Sequence, residues 1–396
     1  MALQPIRPAQ RHPPERPEPT PTRRRAKDNA QGPSETPPVT FRYRAITRPE
    51  GEIVRPLTFI VGTGRSGSTA LSRVLNLHPD VLSLNELLAS VGVGGLPEER
   101  LSGQEFWNLL AEPNPVFEKM IGSGVPLPEF LYTRRPGRYV AQGAGIPAIL
   151  LMVLPHLSDQ PDDLFDDLGR TVRRWPARHA ADHYRALFGV LCERFGRTAV
   201  VERSGYSTEW IPRLRRLFPE ARFVHLARSG PDCALSMSRH PGYRTILLLR
   251  EILEHCGVGR LSELTEDHVR TLPPDLAPLL ADRFDPALVW DRDIPLTAFG
   301  ELWSRLVTEG IAHLEETPAS MRTALVYEEL LDHPIRELSR LAEFLGVEPV
   351  TGWLTTAQSM LDGSRRGASS RLSPANRHAL ERSCAQGDRA LDLLGH

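Results

Sequence analysis

At 396 residues with a formal net charge of −1, 40% apolar and 24% charged, the chain can form one large domain or two smaller ones with a sizeable core. A mean hydropathy of −0.29 and a longest apolar run of only residues 149–154 exclude an integral membrane protein built on spanning helices, which need about 20 apolar residues. The near-neutral charge argues against nucleic acid as the main partner, and four scattered cysteines (Cys192, Cys233, Cys256, Cys384) without CxxC spacing argue against a disulfide scaffold or a zinc cluster.

Residues 1–50 hold 11 of the 36 prolines and ten Lys/Arg against five Asp/Glu. Such a segment buries too little surface to offset its ordering entropy, so a disordered tail is expected over 1–45. Its basic run Arg23-Arg24-Arg25-Ala26-Lys27 reads as solvated charge. The first arginines are not followed by an apolar stretch, so no secretory leader is expected and the protein reads as cytoplasmic. A single domain is expected over 46–396.

Leu57-Thr58-Phe59-Ile60-Val61 predicts a strand buried on both faces. A glycine-rich turn leads into a helix over 68–77, stopped by His78-Pro79. Further strands are expected over 198–201, 222–226 and 323–326, and helices over 210–218, 232–239, 335–345 and 374–394, the last with Ser373 as N-cap. Strands alternating with helices imply an α/β fold, an open parallel sheet covered by helices on both faces. Ligands of such sheets lie at the carboxyl ends of the strands. The segments 88–195 and 240–298 break the alternation and read as helical insertions forming an acceptor pocket.

Between the first strand and its helix lies Gly62-Thr63-Gly64-Arg65-Ser66-Gly67-Ser68-Thr69. The glycines let the backbone turn tightly and approach a ligand. The amides of Ser66 to Ala70 then converge at a helix N-terminus, which binds phosphate-like oxyanions. Arg65 adds a forked charge, and Ser68 and Thr69 add hydroxyls. The spacing approaches GxxxxGK[ST], but Ser68 stands where the lysine would. Of 48 basic residues only Lys27 and Lys119 are lysines. A phosphoryl-transferring loop uses that lysine on the terminal phosphates, so its absence argues against ATP or GTP hydrolysis.

The run from Phe59 to Thr69, with His78-Pro79-Asp80-Val81 behind it, resembles the 5′-phosphosulfate loop of sulfotransferases dependent on 3′-phosphoadenylyl sulfate (PAPS). It is most similar to the branch that includes tyrosylprotein sulfotransferases and many bacterial enzymes. There the loop reads PRSGTT, with arginine where cytosolic sulfotransferases use lysine. Gly64 replaces the proline and Ser68 the first threonine. The segment from Ala221 to Ser236 resembles the family's 3′-phosphate site, which carries over to Arg228 and Ser236. Arg365-Arg366-Gly367 resembles the loop that closes over the nucleotide, implying contacts from Arg366 and Gly367. The late segments Val326 to Leu331 and Leu341 to Gly346 resemble the family's last strand and helix.

The resemblance implies a three-layer sheet of P-loop type with helical insertions. Gly64, Arg65, Ser66, Gly67, Ser68, Thr69, Arg228 and Ser236 would hold PAPS, released as 3′,5′-ADP after sulfuryl transfer to a hydroxyl of a small metabolite, sugar or lipid. No metal is implied, and a homo-oligomer is left open. Cytosolic relatives take the acceptor proton with a histidine at a strand end, but Glu202-Arg203-Ser204-Gly205 stands there. The tyrosylprotein branch uses a glutamate 21 residues after the loop arginine, which here is Glu86. Glu86 is therefore the expected general base, and Arg203, at the family's lysine position, the expected stabiliser of the leaving group. His225, in mid-strand, reads as a core histidine. The alternatives are a P-loop small-molecule kinase or other nucleotide-binding enzyme, and a non-catalytic interaction protein that uses the tail for a partner.

Overall fold

The computed structural model describes residues 46–47, 53–141 and 143–393. The tail expected over 1–45 lies outside the described residues, apart from this boundary. Five strands form the main sheet: β1 Leu57–Val61, β2 Val81–Asn85, β3 Ala199–Arg203, β4 Arg222–Ala227 and β5 Arg322–Val326. Their order is β2-β3-β1-β4-β5 and every neighbouring pair is parallel. Phe59 stands opposite Glu202 on one side and Phe223 on the other. From β1 the chain moves to one edge, and from β3 it crosses to the other side. The crevice outside the carboxyl end of β1 is thus the switch point where ligands of such sheets bind.

Alternation along β1 builds the layers. Leu57, Phe59 and Val61 point into one apolar layer, with Phe218, Leu187 and the helices of the first insertion. Ile60 points into the other, with Leu71, Val74 and Leu75 of α1 (Ser68–Asn76) and with Leu338 and Leu341. This is the expected α/β sheet with helices on both faces. The sequence reading missed β2. Its Ser83 and Asn85 look like breaks in an apolar run, yet Ser83 Oγ donates to the Ser72 carbonyl (3.4 Å) and all five residues are buried.

α2 (Leu87–Val91) opens the first insertion. After β4, α3 (Gly230–Ser238) and α4 (Pro241–Cys256) follow in close succession. α5 (Leu296–Glu315) and α6 (Pro374–Leu393) pack with α3. The ring of Trp303 sits where a Cβ on Gly230 or Gly387 would lie within 2.6 Å, so glycine at both positions admits the indole. Ser373 caps α6 as expected, its Oγ accepting the Asn376 N–H (3.3 Å). Both insertions are mostly helical, and an apolar cluster around Leu248, Ile252 and Leu276 of the second includes Met120 and Val125 of the first. No helix among the described residues is long and apolar enough to cross a membrane.

Candidate functional site

The β1–α1 loop takes three left-handed residues in four: Gly64 (φ 74°), Arg65 (φ 58°) and Gly67 (φ 82°). A Cβ on Gly64 would fall 1.9 Å from Tyr243 Oη, and one on Gly67 would fall 2.2 Å from the Tyr327 ring. The loop is tied from below. Tyr243 Oη donates to the Thr63 carbonyl (2.5 Å), while Ser66 Oγ (3.2 Å) and Cys233 Sγ (3.2 Å) converge on the Gly64 carbonyl. These bonds turn the Ser66 hydroxyl inward, so Ser66 offers an anion only its backbone N–H. α1 follows its N-cap Gly67 without a side-chain cap or an acid in its first turn. Its first N–H groups therefore keep the helix's positive end for a ligand.

Beside this loop opens a cavity of about 720 Å³ lined by Arg65, Gly67, Ser68, Thr69, Arg203, Arg228 and Ser236 among others. Seven arginines line it against the carboxylates of Glu129, Asp232 and Asp362. The β1–α1 loop and the stretch from Arg228 to Ser236, about 160 residues apart in sequence, thus share one wall. Arg228 is 6% exposed. Its guanidinium donates to the Arg65 carbonyl (2.9 Å), lies 5.0 Å above the Tyr327 ring and pairs with Asp232 at 3.7 Å. Ser236 Oγ accepts from Arg65 Nε (3.2 Å).

Glu86 and Arg203 form a buried ion pair at the carboxyl ends of β2 and β3. Arg203 also donates from Nε to Ser72 Oγ (2.8 Å) and from Nη2 to Asn85 Oδ1. The second Glu86 oxygen accepts the Gly205 N–H at 2.9 Å. Glu86 has φ 58°, and its carboxylate sits behind Asn85 and Arg203, which form the cavity wall. Among the described residues, Arg65, Glu86 and Tyr206 are the non-glycine residues with positive φ. Such backbone strain clusters at working sites, and two of the three are residues that the sequence singles out.

Glu202, the neighbour of Arg203, is fully enclosed. It accepts the Leu87 N–H (3.1 Å), the Leu88 N–H (3.4 Å) and the Ser204 hydroxyl (2.6 Å). Burial pushes its carboxyl up to about 7, against the hydrogen bond from Ser204 and with help from the Glu86 charge. His225 is 1% exposed, and burial pushes its ring down to about 4, as befits a core histidine.

Arg366 pairs with Asp332 and is not among the residues that line the cavity. Gly367 is nearer. Its N–H donates to Asp232 Oδ2 (2.6 Å), and the N–H (2.8 Å) and Oγ (2.6 Å) of Ser369 reach Asp232 Oδ1. Burial alone would raise the Asp232 carboxyl; these donors and Arg228 outweigh it and hold it low. The segment is thereby moored to α3, and Ser364, Ala368 and Arg371 reach the cavity. Sequence reading also missed Glu129 and His156, which line the cavity from within the first insertion. Burial, then Arg203 and Arg73, push His156 down to about 4. Neither residue sits in a motif, so only spatial proximity marks it.

No family model and no curated protein matches the chain. Among solved structures it is similar to the sulfotransferase domain from the curacin biosynthetic pathway, at 15% identity over 86% of this chain and 98% of that one, with a TM-score of 0.42. Similar too are a sulfotransferase from Alicyclobacillus acidocaldarius (16% identity, 86% and 96% coverage, TM-score 0.37) and sulfotransferase STF1 from Mycobacterium tuberculosis H37Rv (17%, 84% and 77%, 0.37).

Proposed function

We propose that the chain moves a sulfuryl group from PAPS to a hydroxyl of a small metabolite, sugar or lipid. One observation carries the reading: the uncapped start of α1 with Arg65, and Arg228 with Ser236, face a single arginine-rich cavity at the switch point of the sheet. A donor with a 5′-phosphosulfate and a separate 3′-phosphate has the two anionic ends that such a wall can hold. A triphosphate chain would lack the loop lysine on which it normally relies.

The loop amides and Arg65 hold the sulfonate end and oppose the charge that spreads over its oxygens during in-line transfer. Arg228 and Ser236 hold the 3′-phosphate. The acceptor oxygen bonds to sulfur as the bond from sulfur to the bridging phosphate oxygen breaks. That bond's electron pair leaves with 3′,5′-ADP. Arg203 supplies positive charge to the leaving oxygen, and Glu86 takes the acceptor proton. Arg203 and Glu86 are coupled by their shared bond: an arginine turned toward the leaving oxygen releases Glu86 Oε1 for the proton.

Calorimetry on the purified protein tests the reading. Binding of 3′,5′-ADP with indifference to ATP is the expected result. A tight ATP complex with indifference to 3′,5′-ADP overturns it in favour of a kinase-like enzyme. Transfer of label from sulfur-labelled PAPS into metabolite, glycan or lipid fractions then sorts the acceptor class.

A further inference from the structure

Glu129 belongs to the first insertion and lines the cavity beside the loop. Oε1 accepts from Arg65 Nη1 at 3.2 Å. Oε2 lies 3.2 Å from Nε2 of His240, the N-cap of α4. The other ring nitrogen of His240 accepts the Gly242 N–H (3.2 Å), which assigns the proton to Nε2 and makes it the donor to Glu129. Burial would raise the Glu129 carboxyl, but His240 and then Arg65 outweigh it and hold it low. A half-buried carboxylate is thus suspended between the donor loop and the second insertion.

An oxyanion arriving at the start of α1 needs the same guanidinium. It also receives the loop amides and the helix dipole, which Glu129 does not reach. The incoming anion therefore wins Arg65, and Glu129 is left on His240 with Oε1 free. Glu129 lines the cavity together with Pro128, Leu131 and Arg134 of the first insertion, the segment expected to bound the acceptor. We propose that Glu129 is an acceptor-orienting residue, exchanged off Arg65 by the donor's anion and then hydrogen-bonded through Oε1 to the acceptor hydroxyl. The acceptor half rests on the sulfuryl-transfer reading; the exchange at Arg65 does not.

The test uses the full chain, with inorganic pyrophosphate and 3′,5′-ADP as probes in calorimetry and with sulfate release from PAPS, water being the smallest hydroxyl acceptor. Glu129→Gln keeps the shape but removes the competing charge, and both anions should bind about fivefold tighter, the scale of one partly exposed ion pair. His240→Ala leaves the carboxylate to lean on Arg65 alone and should weaken both. Opposite shifts in two variants are not what general loosening of the site produces. Sulfate release should fall in Glu129→Gln although the donor binds tighter.

Unchanged or weaker pyrophosphate binding in folded Glu129→Gln overturns the exchange, as does failure of pyrophosphate to bind the native protein. Undiminished sulfate release overturns the acceptor role. Pyrophosphate binding in the expected order with no response to 3′,5′-ADP upholds the exchange and rejects the sulfuryl-transfer reading instead.

Discussion

Removing Arg203 and neutralising Glu86 are unequal injuries, although the two residues form one pair. Arg203→Met leaves the Glu86 carboxylate enclosed with only the Gly205 N–H as partner. Stranding a buried charge costs about 3–5 kcal/mol, so this variant should show a clear fall in melting temperature. Glu86→Gln keeps an acceptor for the guanidinium, which retains Ser72 and Asn85. It should melt close to the native protein, bind 3′,5′-ADP normally and turn over about 10²-fold more slowly. Normal turnover would remove Glu86 from the role of base. Arg228→Ala tests the other end of the cavity. Charge-assisted hydrogen bonds contribute about 1.5–3 kcal/mol, so 3′,5′-ADP affinity should fall about 10–100-fold in a calorimetric titration, and an unaltered affinity would exclude Arg228 from the nucleotide site. Arg65 and Arg228 were legible because each closely follows a strand that its apolar run announces; Glu86 and Arg203 were singled out by the family resemblance, Glu86 from its distance to Arg65. Glu129 and His156 were not, because their approach depends on how a helical insertion folds back, and no local spacing encodes that.

At the scale of elements, strands with unbroken apolar runs were readable and β2 was not. Its polar residues are buried only because α1 lies over them, which is tertiary information. The same edge of the sheet carries a titration. Glu202, at the end of β3, accepts the first N–H groups of α2, directly after Glu86. With its carboxyl raised to about 7 in the fold by burial and near its ordinary value of 4.5 when unfolded, the native state binds more protons between those values. Stability therefore falls as pH rises from about 4.5 to about 7 through this group, and is level above. Around the carboxyl stand Glu86, Arg203, Ser204 and the enclosed Tyr184. Glu202→Gln should flatten that limb of the melting temperature against pH, and a limb of the same slope in the variant would assign it elsewhere. Packing around α3 is simpler. Trp303 is 1% exposed between glycines of α3 and α6, and Trp303→Ala should cost about 3–5 kcal/mol, read as a lowered denaturation midpoint.

Over the whole molecule, charge is balanced but not evenly spread. The sequence total of −1 hides a local excess of seven arginines over three carboxylates around one cavity. The arginines come from the β1–α1 loop, α1, the first insertion (Arg134), β3, the end of β4, the turn after α3 (Arg239) and the segment before α6 (Arg371), so no single stretch of sequence reads as basic. Folding concentrates the field, and low-dielectric walls focus it at the mouth. An anionic nucleotide should therefore be drawn in faster than a neutral one. Raising salt from about 0.1 M to about 1 M shortens the screening length from about 10 Å to about 3 Å, which is less than the width of such a cavity. Stopped-flow association of a fluorescent 3′,5′-ADP analogue should slow by about tenfold over that range, an effect at the low end of electrostatic steering. Dissociation should change far less, because contacts inside the cavity are shielded from ions. A rate indifferent to salt would mean that the arginines are neutralised by their carboxylate partners before the nucleotide arrives, and the exchange at Arg65 would then have to be slow enough to limit binding itself.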